Sequence, residues 1–162
     1  MNKKYELLVD DTITFFGWKL FRIKALISFG SVEAGELGGY VAKEGNLSHE
    51  GDAWVSGDAW VYGDAWVSGD AWVSGDAWVF GDAEVCGDAR VKSLKDYIVF
   101  KNNWSSGRYF TYTKSNKMWK AGCFYGTGQE LINEAYKDNE NSGKHYEAYV
   151  KFVEMLEELE NE

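Results

Sequence analysis

At 162 residues the chain has the size of one domain with at most a small appendage, and it is long enough to bury a core. Its 17 basic and 26 acidic residues leave a net charge of −9. That excludes a binder of nucleic-acid backbones, whose affinity rests on clustered Lys and Arg, so direct DNA or RNA binding is not expected.

The chain begins with only a three-residue apolar run, Leu7-Leu8-Val9, before Asp10 and Asp11, too short for a signal peptide. No stretch approaches a transmembrane length, so the expectation is a cytoplasmic protein with no membrane partner. Residues 1–38 read as an N-terminal β cap. Within it, residues 5–29 form a hairpin turning at Asp10-Asp11 and leading into a strand in which Phe21, Ile23 and Ala25 share a face. Such a cap would shield the open edge of whatever follows.

Residues 39–92 are a repeat. From Gly51 the chain reads GDAWVS, GDAWVY, GDAWVS, GDAWVS, GDAWVF, GDAEVC and GDARVK, preceded in frame by GYVAKE (39–44) and GNLSHE (45–50). Alternation along Ala-Trp-Val points Ala and Val to one side and Trp to the other, and Gly-Asp supplies a corner. A helix is excluded by a Gly and a β-branched residue in every unit. The residue after each Val runs Ser56, Tyr62, Ser68, Ser74, Phe80, Cys86, which recurs every three units. That superperiod predicts three sides, with residues eighteen apart stacked about 4.8 Å from one another.

Residues 93–162 change character. Tyr97–Phe100, Arg108–Thr113 and Met118–Phe124 read as strands, with Ser115-Asn116-Lys117 turning between the last two. A helix is predicted over residues 129–137 and a second over 144–160, with Tyr146, Tyr149, Val150, Val153 and Leu156 on one face. The acidic end of the second helix opposes its dipole and predicts fraying.

The candidate sites are mostly surfaces. Trp54, Trp60, Trp66, Trp72 and Trp78 should face outward, and at roughly 200 Å² each they present on the order of 1,000 Å² of aromatic surface, more than a free monomer usually shows in one patch. Tyr62 and Phe80 extend it. A subunit interface, packing of the tail, or ligand stacking would cover it. Asp52, Asp58, Asp64, Asp70, Asp76, Asp82 and Asp88 form acidic columns at the corners, explained by corner geometry, with imitation of nucleic-acid phosphates as the sharper alternative. Positive charge gathers at the end of the array and in the tail: Arg22, Lys24, Arg90, Lys92, Lys95, Lys101, Arg108, Lys114, Lys117 and Lys120, mixed with Trp104, Tyr109, Tyr112 and Trp119, suggest an anion or nucleotide pocket between subunits, with a solvated hairpin as the alternative. Cys86 and Cys123 read as reduced thiols; no metal, cofactor or catalytic constellation is expected.

The inward Val55, Ala59, Val61, Ala65 and Val67 resemble those of the left-handed β-helix family of hexapeptide-repeat proteins. The resemblance implies a mostly β fold, a three-sided left-handed parallel β-helix with an N-terminal β cap and a C-terminal α+β tail, assembled as a homotrimer. The segments Leu20–Leu26, Leu37–Val41, Asn46–Gly51 and Gly122–Thr127 are further similar to small phage and prophage proteins carrying G-x-A-x-V arrays. That resemblance implies a non-enzymatic trimeric binding protein in the host cytoplasm. It would inhibit an anti-phage defence system by sequestering a small anionic nucleotide signal, or by blocking a host protein such as a nucleic-acid enzyme. The alternatives are an acyltransferase relative, with His49 as its histidine, and a structural self-assembling protein.

Overall fold

A computed structural model describes residues 3–161. β1 (Tyr5–Phe15) and β2 (Trp18–Ala25) form a long antiparallel hairpin. Its turn is Phe16-Gly17, with φ of 43° and 84°, the left-handed pair that matches the twist of a two-residue hairpin. The expected turn at Asp10-Asp11 is therefore corrected. These residues lie where the register slips between Leu8 and Thr12, an irregularity that bends the strand without reversing it. Asp11 is held there by Arg22 Nε at 3.0 Å. β2 then pairs antiparallel with β3 (Leu37–Val41).

In the repeat each unit contributes one strand of two residues: β4 (Trp54–Val55), β5 (Trp60–Val61), β6 (Trp66–Val67), β7 (Trp72–Val73), β8 (Trp78–Val79), β9 (Glu84–Val85) and β10 (Arg90–Val91). Strands eighteen residues apart pair in parallel, as Trp54 with Trp72, Trp60 with Trp78 and Trp66 with Glu84. The ladders are tied by backbone bonds such as Trp60 N to Ala77 O at 2.9 Å and Trp66 N to Ala83 O at 2.9 Å. Ala and Val of every unit from Ala53 to Val91 point inward and are at most 1% exposed. At roughly 1.5–3 kcal/mol for each fully buried Val, this narrow column is a main source of stability.

That register does not amount to the mostly β, three-sided left-handed parallel β-helix implied by the sequence. The strands fall into four separate small sheets, parallel, antiparallel and mixed, none of which closes or runs on as a solenoid sheet, and 24% of the residues are helical against 37% in strands. The physical reason is that each hexapeptide supplies a strand of only two residues before a positive-φ Gly and its Asp turn the chain, so the sheets stay short and apart. One of them, β1-β2-β3-β5-β8, is completed by the antiparallel hairpin.

The degenerate units also depart from the frame. Val41 pairs with Val61 and Leu47 with Val67, offsets of twenty residues, because two extra residues lie between Leu47 and Val55; the 3₁₀ turn over Glu44–Asn46 replaces the Gly-Asp corner while keeping the six-residue step from Val41 to Leu47. Asn46, fully buried, stands in for the missing backbone bonds: its amide donates to Ala65 O at 2.8 Å, and its oxygen accepts from Ala42 N and Lys43 N. Lys4 closes the same end, donating to Ala53 O at 2.6 Å.

The tail is a four-stranded antiparallel sheet of β11 (Tyr97–Lys101), β12 (Tyr109–Thr113), β13 (Met118–Ala121) and β14 (Phe124–Thr127), packed against α1 (Gly128–Asp138) and α2 (Glu140–Glu160). The single strand expected over 118–124 is two, divided at Gly122-Cys123. Phe110, Tyr112, Trp119, Leu131, Ile132, Val150 and Val153 form its core. The predicted fraying of α2 is opposed by partners on the sheet: Tyr112 and Lys117 both donate to Glu157, and Lys114 pairs with Glu160. The tail seats on the last units of the repeat through Thr111 Oγ1, which accepts from Glu84 N at 3.0 Å, and Ser115 Oγ, which accepts from Arg90 N at 2.8 Å. Among the described residues no helix is long and apolar enough to cross a membrane.

Candidate binding groove

The five repeat tryptophans have four different environments. Trp54 is fully buried beneath Phe29 and Tyr5, ring centroids 5.3 and 6.4 Å away, so the N-terminal segment covers it. Trp60 and Trp78 stack at 4.9 Å under the edge of Phe15. Trp72 donates its indole N–H to Ser56 and lies beneath the Arg90 guanidinium. The N-terminal hairpin thus does much of the covering that the sequence assigns to the tail or a neighbouring subunit. Trp66 alone among the five remains 40% exposed.

Trp66 lies on the two-stranded ladder β6-β9, beside the tail sheet. Between them runs a groove of about 740 Å³, walled on the repeat side by Asp64, Trp66, Asp82 and Glu84 and on the tail side by Arg108, Tyr109, Lys120, Gly122 and Cys123. Two aromatic faces, Trp66 and Tyr109, are open to solvent there. Among the described residues neither Arg108 nor Lys120 has an ion-pair partner, and nor do Asp82 and Glu84; Asp64 is neutralised by Lys43 at 2.9 Å. The Gly122 turn shapes the tail wall. Its carbonyl accepts from Lys120, its φ of 60° favours glycine, and the Arg108 guanidinium lies over the space that a Cβ would take.

The remaining candidates are not brought together at this groove. Trp119 is 2% exposed inside the tail core, and Tyr62 is buried between Trp18 and Phe80, so neither can meet a ligand. Phe80 is 41% exposed. Arg90 and Lys92 lie on the separate β4-β7-β10 side. The corner aspartates form the columns Asp52–Asp70–Asp88, Asp58–Asp76 and Asp64–Asp82, all exposed, and Asp70 and Asp88 accept hydrogen bonds that brace their corners.

Other reactive groups are quiet. Burial pushes the Cys86 thiol up to about 11, only partly offset by Lys120, which leaves it protonated at neutral pH. His49 accepts from Lys4 N at 3.1 Å and stacks on Tyr5 at 4.1 Å, and burial lowers its pKa; it packs within the N-terminal closure. Gly122 and Cys123 are groove residues that sequence reasoning left out, although the Gly in a short run between two strands marks the turn. The chain matches no family model and no curated protein.

Proposed function

We propose that the chain is a non-enzymatic binding protein that holds a small anionic ligand of the nucleotide type in the groove between β6-β9 and the tail sheet. The observation that carries this reading is the pair of cations without an ion-pair partner among the described residues, Arg108 and Lys120, beside the open faces of Trp66 and Tyr109. Cations of this kind meet phosphate oxygens with charge-assisted hydrogen bonds, Arg bidentately, and aromatic faces stack bases. Asp82 and Glu84 offset the two cations, so the groove suits a ligand of low charge whose hydroxyl or amino groups donate to the carboxylates, and it disfavours a long polyanion.

In this proposal the protein works as a homotrimer of phage or prophage origin that sequesters a nucleotide signal of host defence. The resemblance of its repeat and flanking segments to small phage proteins supports that use. Exposed Trp18, Phe80 and Leu94 offer apolar surface to a neighbouring subunit. Native mass spectrometry of protein recovered gently from its host's lysate tests the proposal. A trimer retaining a phosphorus-containing small molecule is the expected result, whereas a bare monomer would refute it.

A further inference from the structure

The C-terminal half of α2 has two faces. One sends Val150 and Val153 into the tail core, and the acids beside it, Glu157 and Glu160, are held by Tyr112, Lys117 and Lys114. On the other, Phe152, Met155 and Leu159 are 47%, 62% and 63% exposed. With exposed Ala148 they follow a 4-3-4 spacing, which sets all four on one stripe of the helix. A single apolar side chain at a surface needs no explanation, but an exposed stripe at this spacing has the pattern of a helix-pair seam.

The charges beside the stripe select the helix that fits it. Lys151 and Glu158 are exposed, lie two turns apart on the same flank, and have no ion-pair partner among the described residues. Laid antiparallel on a copy of itself, the stripe sets Phe152 against Met155 of the second copy and Ala148 against Leu159, a small residue facing a large one. The same register brings Lys151 of each copy to Glu158 of the other. In a parallel pair Lys151 would face Leu156 instead, and the flank would gain no ion pair.

We propose that α2 pairs antiparallel with α2 of a second copy of this chain, through the stripe from Ala148 to Leu159 and two symmetric ion pairs between Lys151 and Glu158. Two copies of this face bury on the order of 1,000 Å², at the low end of specific interfaces, so pairing is weak and concentration-dependent, in the micromolar range. It uses neither the groove nor the exposed apolar residues of the repeat, so it doubles whatever unit the repeat assembles.

Sedimentation velocity of the full chain, from low micromolar to submillimolar concentration, tests this. Wild type should double in mass as concentration rises, monomer to dimer or trimer to hexamer, so the outcome is separate from that of the trimer reading. Lys151→Glu and Glu158→Lys, both on exposed side chains, set like charges against each other and should each weaken the doubling about tenfold. An equimolar mixture of the two variants restores opposite charge at both pairs and should restore the doubling. Wild type that never doubles, doubling that both variants keep, or a mixture no better than its components would overturn the proposal.

Discussion

Replacing Lys4 with Met should change the stability of the protein by an amount that depends on pH. Lys4 is 1% exposed, donates to Ala53 O and Gly51 O, and lies 4.7 Å from the centre of the Phe29 ring. Burial pushes its pKa down from 10.5 to about 8, against the pull of Asp52 and Asp70. A lysine whose folded pKa is depressed binds fewer protons folded than unfolded, so its contribution to stability rises with pH between about 8 and 10.5. At about 1.4 kcal/mol per pKa unit, the whole window is worth roughly 3 kcal/mol, of which about 2 kcal/mol is gained between pH 7.5 and 9.5. Cys86 and the buried tyrosines Tyr5, Tyr97 and Tyr112, with pKa values raised by burial, change in the opposite sense as pH rises. The difference between wild type and Lys4→Met isolates the lysine. Urea unfolding of both proteins at the two pH values should show wild type gaining about 2 kcal/mol over the variant. A difference that stays constant with pH would mean that Lys4 is not desolvated in the folded chain, and the reasoning about how this end of the repeat is closed would fail.

Two corner glycines should separate the cost of backbone conformation from that of close approach. A Cβ at Gly51 would sit 2.5 Å from Gly69 O, whereas one at Gly81 meets nothing within 4 Å, and both have positive φ. Gly81→Ala should therefore cost about 1–2 kcal/mol and Gly51→Ala distinctly more, read by chemical denaturation. Glu157→Gln should loosen the end of α2 from the sheet by about 1 kcal/mol, seen as faster amide exchange over residues 153–160. Burial alone would raise the Glu157 pKa, but its hydrogen bonds from Lys117 and Tyr112 hold it below its ordinary value. The stabilisation is thus present above the ordinary carboxylate range and lost as pH falls through the lowered value, so wild type and variant should converge in acid. Val73→Ala, at a 0% exposed position in the narrow column, should cost roughly 2 kcal/mol or more, measured by thermal unfolding.

The repeat told the truth about its interior. Strict alternation of Ala and Val against Trp was enough to place Val55 through Val91 inside, and the three-unit superperiod was enough to place Trp60 beside Trp78. The same periodicity misled about architecture, because it reports the neighbours of a unit and not how two-residue ladders join other sheets. Trp54 looked like its four sequence equivalents, yet Tyr5 and Phe29 bury it through contacts far away in the chain. Asp10-Asp11 carried the stronger turn composition, but reversal of the chain needed two left-handed residues, and Phe16-Gly17 supplied them. The acids of α2 read as a frayed end because the lysines that meet them come from a strand pair folded back against the helix. At the groove, Trp66, Arg108, Tyr109 and Lys120 were all candidates by residue type. What the sequence hid was the sorting: which aromatics the hairpin would cover, that Trp119 would turn into the core, and that Arg90 and Lys92 would fall on another side.

The most direct test of the groove is a calorimetric titration with a panel of mononucleotides against wild type, Arg108→Ala and Trp66→Ala, at fixed ionic strength. The account predicts that at least one nucleotide binds wild type, and that each substitution weakens it about tenfold or more through loss of the phosphate contact or the stacking face. Binding untouched by both substitutions, or no binding by any nucleotide at millimolar concentration, would contradict it.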